Sequence, residues 1–314
     1  MSLPADIATR LSLPLIAAPM FLVSGVELVA AACSAGIIGA FPTANCRTAE
    51  ELDAWMVELR RRTAEHPGAP ICPNLIVHHS NPRVMEDVAV LVRHRVELVI
   101  ASVGSPQRVI PPLHDAGCRV FTDIASLRHA ERAIEAGSDG LILLTAGAGG
   151  QTGWANTFAF ARAVRAIWDG PLVLAGGVSD GQALYAARAL GCDLAYMGTR
   201  FIATSESLAA PGYKQMLVGS RLDDILLTRA FTGLETNMLR PSIVSAGLDP
   251  DALPPRGSIE VGNDINPEKR RWRDVWSAGH SVSGVTDIPG VAELVDRTRA
   301  EYEAARALAS STSP

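Results

Sequence analysis

The chain has 314 residues, 48% hydrophobic and 19% charged, enough for one large α/β domain with a smaller elaboration. A net charge of -5 and an isoelectric point near 5.8 leave no broad basic face, which argues against nucleic acid as a partner. Five cysteines (33, 46, 72, 118 and 192) are odd in number and lack C-x-x-C spacing, so neither a disulfide framework nor a structural zinc site is expected, and a reducing compartment fits.

The N-terminal stretch MSLPADIATRLSLPLIAAPM lacks the charged and then apolar pattern of a secretory leader, and no apolar run reaches membrane-spanning length. A cytoplasmic protein with no membrane partner is the expectation. Leu15 to Pro19 reads as the first buried strand, Gly25 to Ala35 as an alanine- and valine-rich helix, and Gly36 to Ala40 as the second strand. Thr48 to Glu65 carries Leu52, Trp55, Met56 and Leu59 at helical spacing with charges between them, which predicts an amphipathic outer helix. Ile71 to Val77 supplies strand three, and Pro82 opens a helix running to His94. Leu98 to Ala101 is strand four, and Pro106 opens the next helix at a position where a missing N–H costs nothing.

Arg119 to Ile124 is strand five, Ser126 to Gly137 a helix ending in glycine, Gly140 to Leu144 strand six, and Asn156 to Trp168 the following helix. Pro171 to Phe201, PLVLAGGVSDGQALYAARALGCDLAYMGTRF, holds strands seven and eight around one more helix. Eight strand-helix alternations of this length predict a (β/α)8 TIM barrel, with a doubly wound open sheet as the alternative. Residues 1–204 with 289–314 would form the barrel. From Ser205 the pattern changes, so 205–288 is expected to be a C-terminal extension emerging at the barrel mouth, as a lid or as a packing element without a gating role. Val291 to Leu308 reads as a final helix on the barrel exterior.

Several short motifs fall at strand ends, where a barrel builds its site. Gly176-Gly177 and Gly198-Thr199 place backbone N–H groups after the last two strands, where a phosphate is favoured by hydrogen bonds and dipole together; alternatively they only cap the strands. Small residues at Ala17 and Ala18, followed by Pro19 and Met20, admit a flat ring close to the backbone. Asn74, inside the apolar run ICPNLIV, needs partners in the barrel and is either a network residue or a donor to a polar ring edge. His78 follows the same strand and is a candidate catalytic group, although a lone loop histidine is often merely solvated; His79 beside it is expected to point outward. In LLTAGAGGQTGW, Gly149 and Gly150 can line a cofactor without side-chain obstruction, and Gln151 is the polar side chain long enough to reach across. H-E-x-x-H, G-x-S-x-G, the P-loop pattern and G-x-G-x-x-G are absent.

Taken in order, APM, the asparagine of NLIVH, GAGGQTG, AGGVSDG and MGTRF resemble the nitronate monooxygenase family, formerly called 2-nitropropane dioxygenases. Flavin-dependent quinone reductases and FMN-type enoyl-acyl-carrier-protein reductases are related to it. The likeness runs from about Leu13 to Phe201 and continues through TGLETNMLRPS and WSAGHSVSG. It implies a TIM barrel holding FMN non-covalently, with Pro19, Met20 and Asn74 by the isoalloxazine and Gly176, Gly177, Gly198 and Thr199 at the phosphate. Two positions depart from the family pattern. The histidine that usually follows AGG is Gln151, and the basic residue common on strand five is replaced by Thr122, followed by Asp123.

The resemblance implies an FMN oxidoreductase that oxidises a small nitronate or nitroalkane with O2. The alternatives are an NAD(P)H-dependent FMN reductase of a quinone or enone and a flavin-binding barrel that has lost its acid/base group. The outer helices suit a monomer and a homo-oligomer equally.

Overall fold

In a computed structural model describing residues 3–64, 68–255 and 275–311, the eight apolar runs form a closed parallel barrel. Its strands are β1 (Leu15–Ala17), β2 (Ile38–Pro42), β3 (Ile71–Ile76), β4 (Leu98–Ser102), β5 (Arg119–Ile124), β6 (Gly140–Leu144), β8 (Leu172–Ala175) and β9 (Leu194–Met197), with β9 pairing back onto β1. Between them a two-residue strand, β7 (Gly150–Gln151), joins β10 (Ile225–Thr228) and β11 (Thr236–Leu239) in a small antiparallel sheet. The helices are α1 (Ala5–Ala8), α2 (Val26–Ser34), α3 (Ala49–Thr63), α4 (Val84–Arg93), α5 (Ile110–Asp115), α6 (Leu127–Glu135), α7 (Thr157–Arg165), α8 (Gly181–Ala189), α9 (Thr199–Ile202), α10 (Pro211–Gly219), α11 (Arg240–Ser245) and α12 (Val291–Ser311).

Sequence chemistry explains the boundaries. Thr48, Ser126, Asn156 and Asp180 each accept a backbone N–H from the first turn of the helix that follows, and so become N-caps rather than helical residues. Strand two lies two residues later than expected, because Gly36 takes φ +81 to turn the chain out of α2. Pro106 opens a 3-10 turn at 106–108, and α5 starts only at Ile110. Glu65, the expected end of the third helix, lies outside the described residues.

Alternation along the strands sorts the core into two shells. Ile16, Ile38, Ile100, Phe121, Ile142, Val173 and Leu194 fill the barrel interior, whereas Leu15, Leu141, Leu143, Leu172 and Leu174 point outward under the helices. Gly140 has no side chain because a Cβ there would sit 2.6 Å from the Phe121 ring. The final helix α12 packs on α8, where Tyr185 and Tyr302 meet edge to face at 5.9 Å. No described helix is long and apolar enough to cross a membrane. All five cysteines are buried free thiols.

Candidate active site

At the carboxyl end of the barrel the last inward-facing residues form the floor of a cavity of about 610 Å³. They are Ala18, Asn74, Ser102, Asp123, Leu144, Ala175 and Tyr196. Drug-sized ligands and cofactors generally occupy cavities of roughly 300–1,000 Å³.

The rim after β1 is rigidly held. Ser24 Oγ accepts the Met20 amide at 3.0 Å and donates to the Ala18 carbonyl, while Asn45 Nδ2 donates to the carbonyls of Met20 and Ser24. Pro19 and Met20 are therefore presented to the cavity on a braced loop. Asn74 is buried and committed: its Nδ2 donates to Ser102 Oγ at 2.9 Å, which fixes the amide plane at the cavity floor.

After β8, Gly176 and Gly177 take φ +122 and +80, conformations that glycine reaches without strain. A Cβ on Gly176 would collide with Thr145 Oγ1 and the Ala148 amide, whereas Gly177 borders open space. The start of α8 is already served by carboxylates, since Asp180 caps the Ala183 amide and Glu301 Oε2 accepts the Gly181 amide at 2.9 Å. An anion near these turns must instead be met by loop amides. Those of Gly177 and Thr199 find no acceptor among the described residues, and both residues line the cavity with Gly176 and Gly198. Arg200 is drawn away from the mouth, its guanidinium 3.4 Å from Asp287.

The glycine-rich loop 146–151 forms the opposite wall. Asn237 Nδ2 donates to the carbonyls of Ala146 and Ala148 at 2.9 and 2.7 Å, and the His280 amide donates to the Gly147 carbonyl. Gly149 and Gly279 are glycines because each would otherwise drive a Cβ into the other segment's backbone, 2.6 Å from an amide or carbonyl. Gln151 lines the cavity half-buried, and its carboxamide makes no hydrogen bond among the described residues. Thr232, Leu234, Thr236, Trp276, Ser277 and Ala278 also contribute to this wall, so the extension is part of the site's surface. Its residues 256–274 lie outside the described residues. Phe21, Leu22, Val23, Leu208 and Tyr213 make the outer cavity strongly apolar, and Tyr213 stacks on Trp276 at 4.9 Å.

Two expected site residues are elsewhere. Thr122 is turned out of the barrel, its hydroxyl 2.7 Å from Ser138 Oγ, because the period of two along β5 places Phe121 and Asp123 inside. His78 does not line the cavity: β3 ends at Ile76, and the histidine folds over its own loop, bonding Ser80 Oγ at 2.8 Å and packing on His79. Burial, with the adjacent His79, holds its pKa below the usual histidine value, without aiming it at the mouth.

Sequence reading missed Asp123 and Tyr196 as site residues. Both face the cavity, and both Asp123 Oδ1 and Tyr196 Oη are buried without a partner among the described residues. Burial pushes the Asp123 carboxyl up to about 7 and the Tyr196 phenol well above its ordinary value. The strand parity of β5 was the available signal. No group of three or more His, Cys, Asp or Glu that could hold a metal occurs among the described residues.

A sequence model of the nitronate monooxygenase family matches residues 69–297. The chain is 29% identical over 233 residues to a (3aS,4S,5R,7aS)-5-hydroxy-7a-methyl-1-oxo-octahydro-1H-indene-4-carboxyl-CoA dehydrogenase of Rhodococcus jostii strain RHA1, an alignment covering 74% of this chain but only 64% of that protein's length. It is 26% identical to a nitronate monooxygenase of Paraburkholderia phytofirmans, over 92% of each protein. In fold it is similar to FabK from Thermotoga maritima, with a TM-score of 0.81 and 24% identity over 99% of both chains.

Proposed function

The chain belongs to the nitronate monooxygenase family of TIM-barrel flavoprotein oxidoreductases, and on that premise we propose that it binds FMN at the barrel mouth and reduces an apolar enone or enoyl thioester, with NAD(P)H as the hydride donor. The site fits such a cofactor. It offers a glycine cradle with amides at Gly177 and Thr199 that are free among the described residues for a phosphate, a braced Pro19-Met20 edge, and a floor that carries Asn74, Ser102, Asp123 and Tyr196. Bound there, the flavin would supply the redox chemistry. Ala18, Pro19, Met20 and Asn74 would hold its ring and Gly149 and Gly150 would admit it, while Gly176, Gly177, Gly198 and Thr199 would hold its phosphate. Gln151 would orient the substrate carbonyl by hydrogen bonding, and residues 205–288 would act as a unit that walls the site and excludes water.

The observation that carries the choice of substrate is the charge of the pocket. Its floor presents Asp123 and Tyr196, and of its two lining arginines Arg83 is engaged by Asp87 and by the carbonyls of Thr43 and Cys46, while Arg47 lies exposed at the rim. Among the described residues no counter-charge stands beside Gln151 for an anionic nitronate, whereas a neutral apolar carbonyl group matches the walls. Likeness to a carboxyl-CoA dehydrogenase supports a thioester as the reacting group. Nitronate oxidation with O2 is the second reading, favoured by similarity to the Paraburkholderia nitronate monooxygenase over nearly the whole of both chains.

The test has two stages. Purified protein should be yellow and release FMN on denaturation. Under anaerobic conditions NADH or NADPH should bleach the flavin band and an enone or enoyl thioester should restore it. Turnover of alkyl nitronates under air without nicotinamide-driven bleaching would select the second reading.

A further inference from the structure

The two partnerless polar atoms at the floor of the mouth point to a ligand-binding role of their own. Asp123 projects from β5 and Tyr196 from β9, both inward, above an interior filled by Phe121, Ile142, Val173 and Leu194. Below them the interior is apolar apart from the Cys72 thiol. Burying a polar group without a hydrogen bond is costly, so two in one layer of one cavity call for a partner that the polypeptide does not supply.

We propose that Asp123 and Tyr196 form a donor pair for the acceptor edge of the bound flavin ring, and that the Asp123 carboxyl keeps its proton in that complex. This rests on the FMN reading above and goes beyond it by assigning the floor. The groups facing Asp123 from the other strands support the neutral acid. They are the Tyr196 phenol on β9 and the Cys72 thiol on β3, both neutral because burial drives their titration far above neutrality. The Arg83 guanidinium is paired with Asp87, and among the described residues no basic group acts on Asp123, whose carboxyl is raised by burial. Along its polar edge an isoalloxazine presents N1, the two carbonyl oxygens and N5 as acceptors, with N3–H as the one donor between the carbonyls; the pair is assigned to the acceptor positions. A carboxylic acid and a phenol can each donate to them, whereas a carboxylate would face them lone pair to lone pair.

Proton linkage then decides the affinity. Only the protonated carboxyl donates, so above about pH 7 binding must first restore that proton. Fluorescence titration of apoprotein with FMN between pH 6 and 9 should give a dissociation constant that is flat at the acid end and rises up to tenfold per pH unit above neutrality. D123N, which retains a donor but has no titrating group, should show no such rise, and Y196F should bind more weakly at every pH. Riboflavin should reproduce the dependence, because the FMN phosphate titrates near pH 6 and riboflavin lacks it. Calorimetry at pH 8 in buffers of different ionisation enthalpy should report uptake of about one proton by the wild type and none by D123N. Tight FMN binding with a pH-independent constant in the wild type, or the same rise in D123N, overturns the donor pair and leaves the FMN site standing. Failure of all variants and the wild type to bind FMN overturns the FMN reading itself, and the donor pair with it.

Discussion

Asn237 reaches back from the extension and donates its amide to the carbonyl of Ala148 at 2.7 Å, with a second bond to Ala146, so one side chain secures the glycine-rich loop that ends in Gln151. Antiparallel pairing of Gly150 with Asn237 and Gln151 with Thr236 adds a backbone clamp beside it. The loop's shape is thus imposed by a side chain 89 and 91 residues beyond the carbonyls it binds.

Asn237→Ala removes both bonds and leaves the buried Ala148 carbonyl and the part-buried Ala146 carbonyl under-satisfied, at a cost of about 1–3 kcal/mol. We expect a lower urea midpoint together with weaker FMN binding. An unchanged midpoint would show that the backbone clamp alone holds the loop.

Gly176 and Gly177 both take positive φ, but only Gly176 is enclosed. Gly177→Ala should cost about 1–2 kcal/mol from backbone strain, and Gly176→Ala clearly more, because its Cβ meets Thr145 and Ala148. Flavin content after purification should fall in the same order. Equal losses in the two variants would mean that the close approach at Gly176 has no influence.

Asp123 makes the apoprotein's stability depend on pH. Its carboxyl is raised from 3.8 to about 7 in the folded chain, so the folded state keeps a proton that the unfolded state has released. This contribution is complete below pH 3.8, is lost by about 1.4 kcal/mol per pH unit as pH rises toward 7, and is level above that. Compared with wild type by urea unfolding, Asp123→Asn should gain relative stability between pH 5 and 7 and hold that gain at pH 8. A constant difference across the range would contradict the buried neutral acid.

Gln151 makes no hydrogen bond among the described residues, so Gln151→Ala should leave stability within about 0.5 kcal/mol of wild type while lowering kcat/KM for the enone or thioester. Gln151→His restores the histidine that the family resemblance leads one to expect. It should raise turnover of alkyl nitronates above the wild-type level, measured as oxygen consumption.

His78 and Thr122 serve as controls. His78→Ala should alter neither FMN affinity nor kcat, since the ring lies outside the cavity. Thr122→Val loses the hydrogen bond to Ser138 and about 1 kcal/mol of stability without changing flavin affinity. A loss of FMN binding in Thr122→Val would mean that the outward face of β5 shapes the floor.

The barrel was legible because its signal is local. Each apolar run ends at a glycine, a cap residue or a proline within a few positions, and the caps Thr48, Ser126, Asn156 and Asp180 act on amides in their own first turn. The positive φ values of Gly176 and Gly177 were implicit in the same way, being demands of one turn on one backbone. The small sheet of β7, β10 and β11 was not, because two to four residues carry too little periodicity and the pairing joins segments far apart in the chain.

Which face of a strand looks inward is decided by closure of the whole barrel. One residue of difference along β5 exchanged Thr122 for Asp123, a satisfied outer hydroxyl for a partnerless inner acid. Composition and local chemistry therefore determined the architecture and the glycine cradle. The titration of Asp123, its neighbour Tyr196 and the clamp on Gln151 come from tertiary structure alone, since burial and long-range pairing depend on every strand being in place.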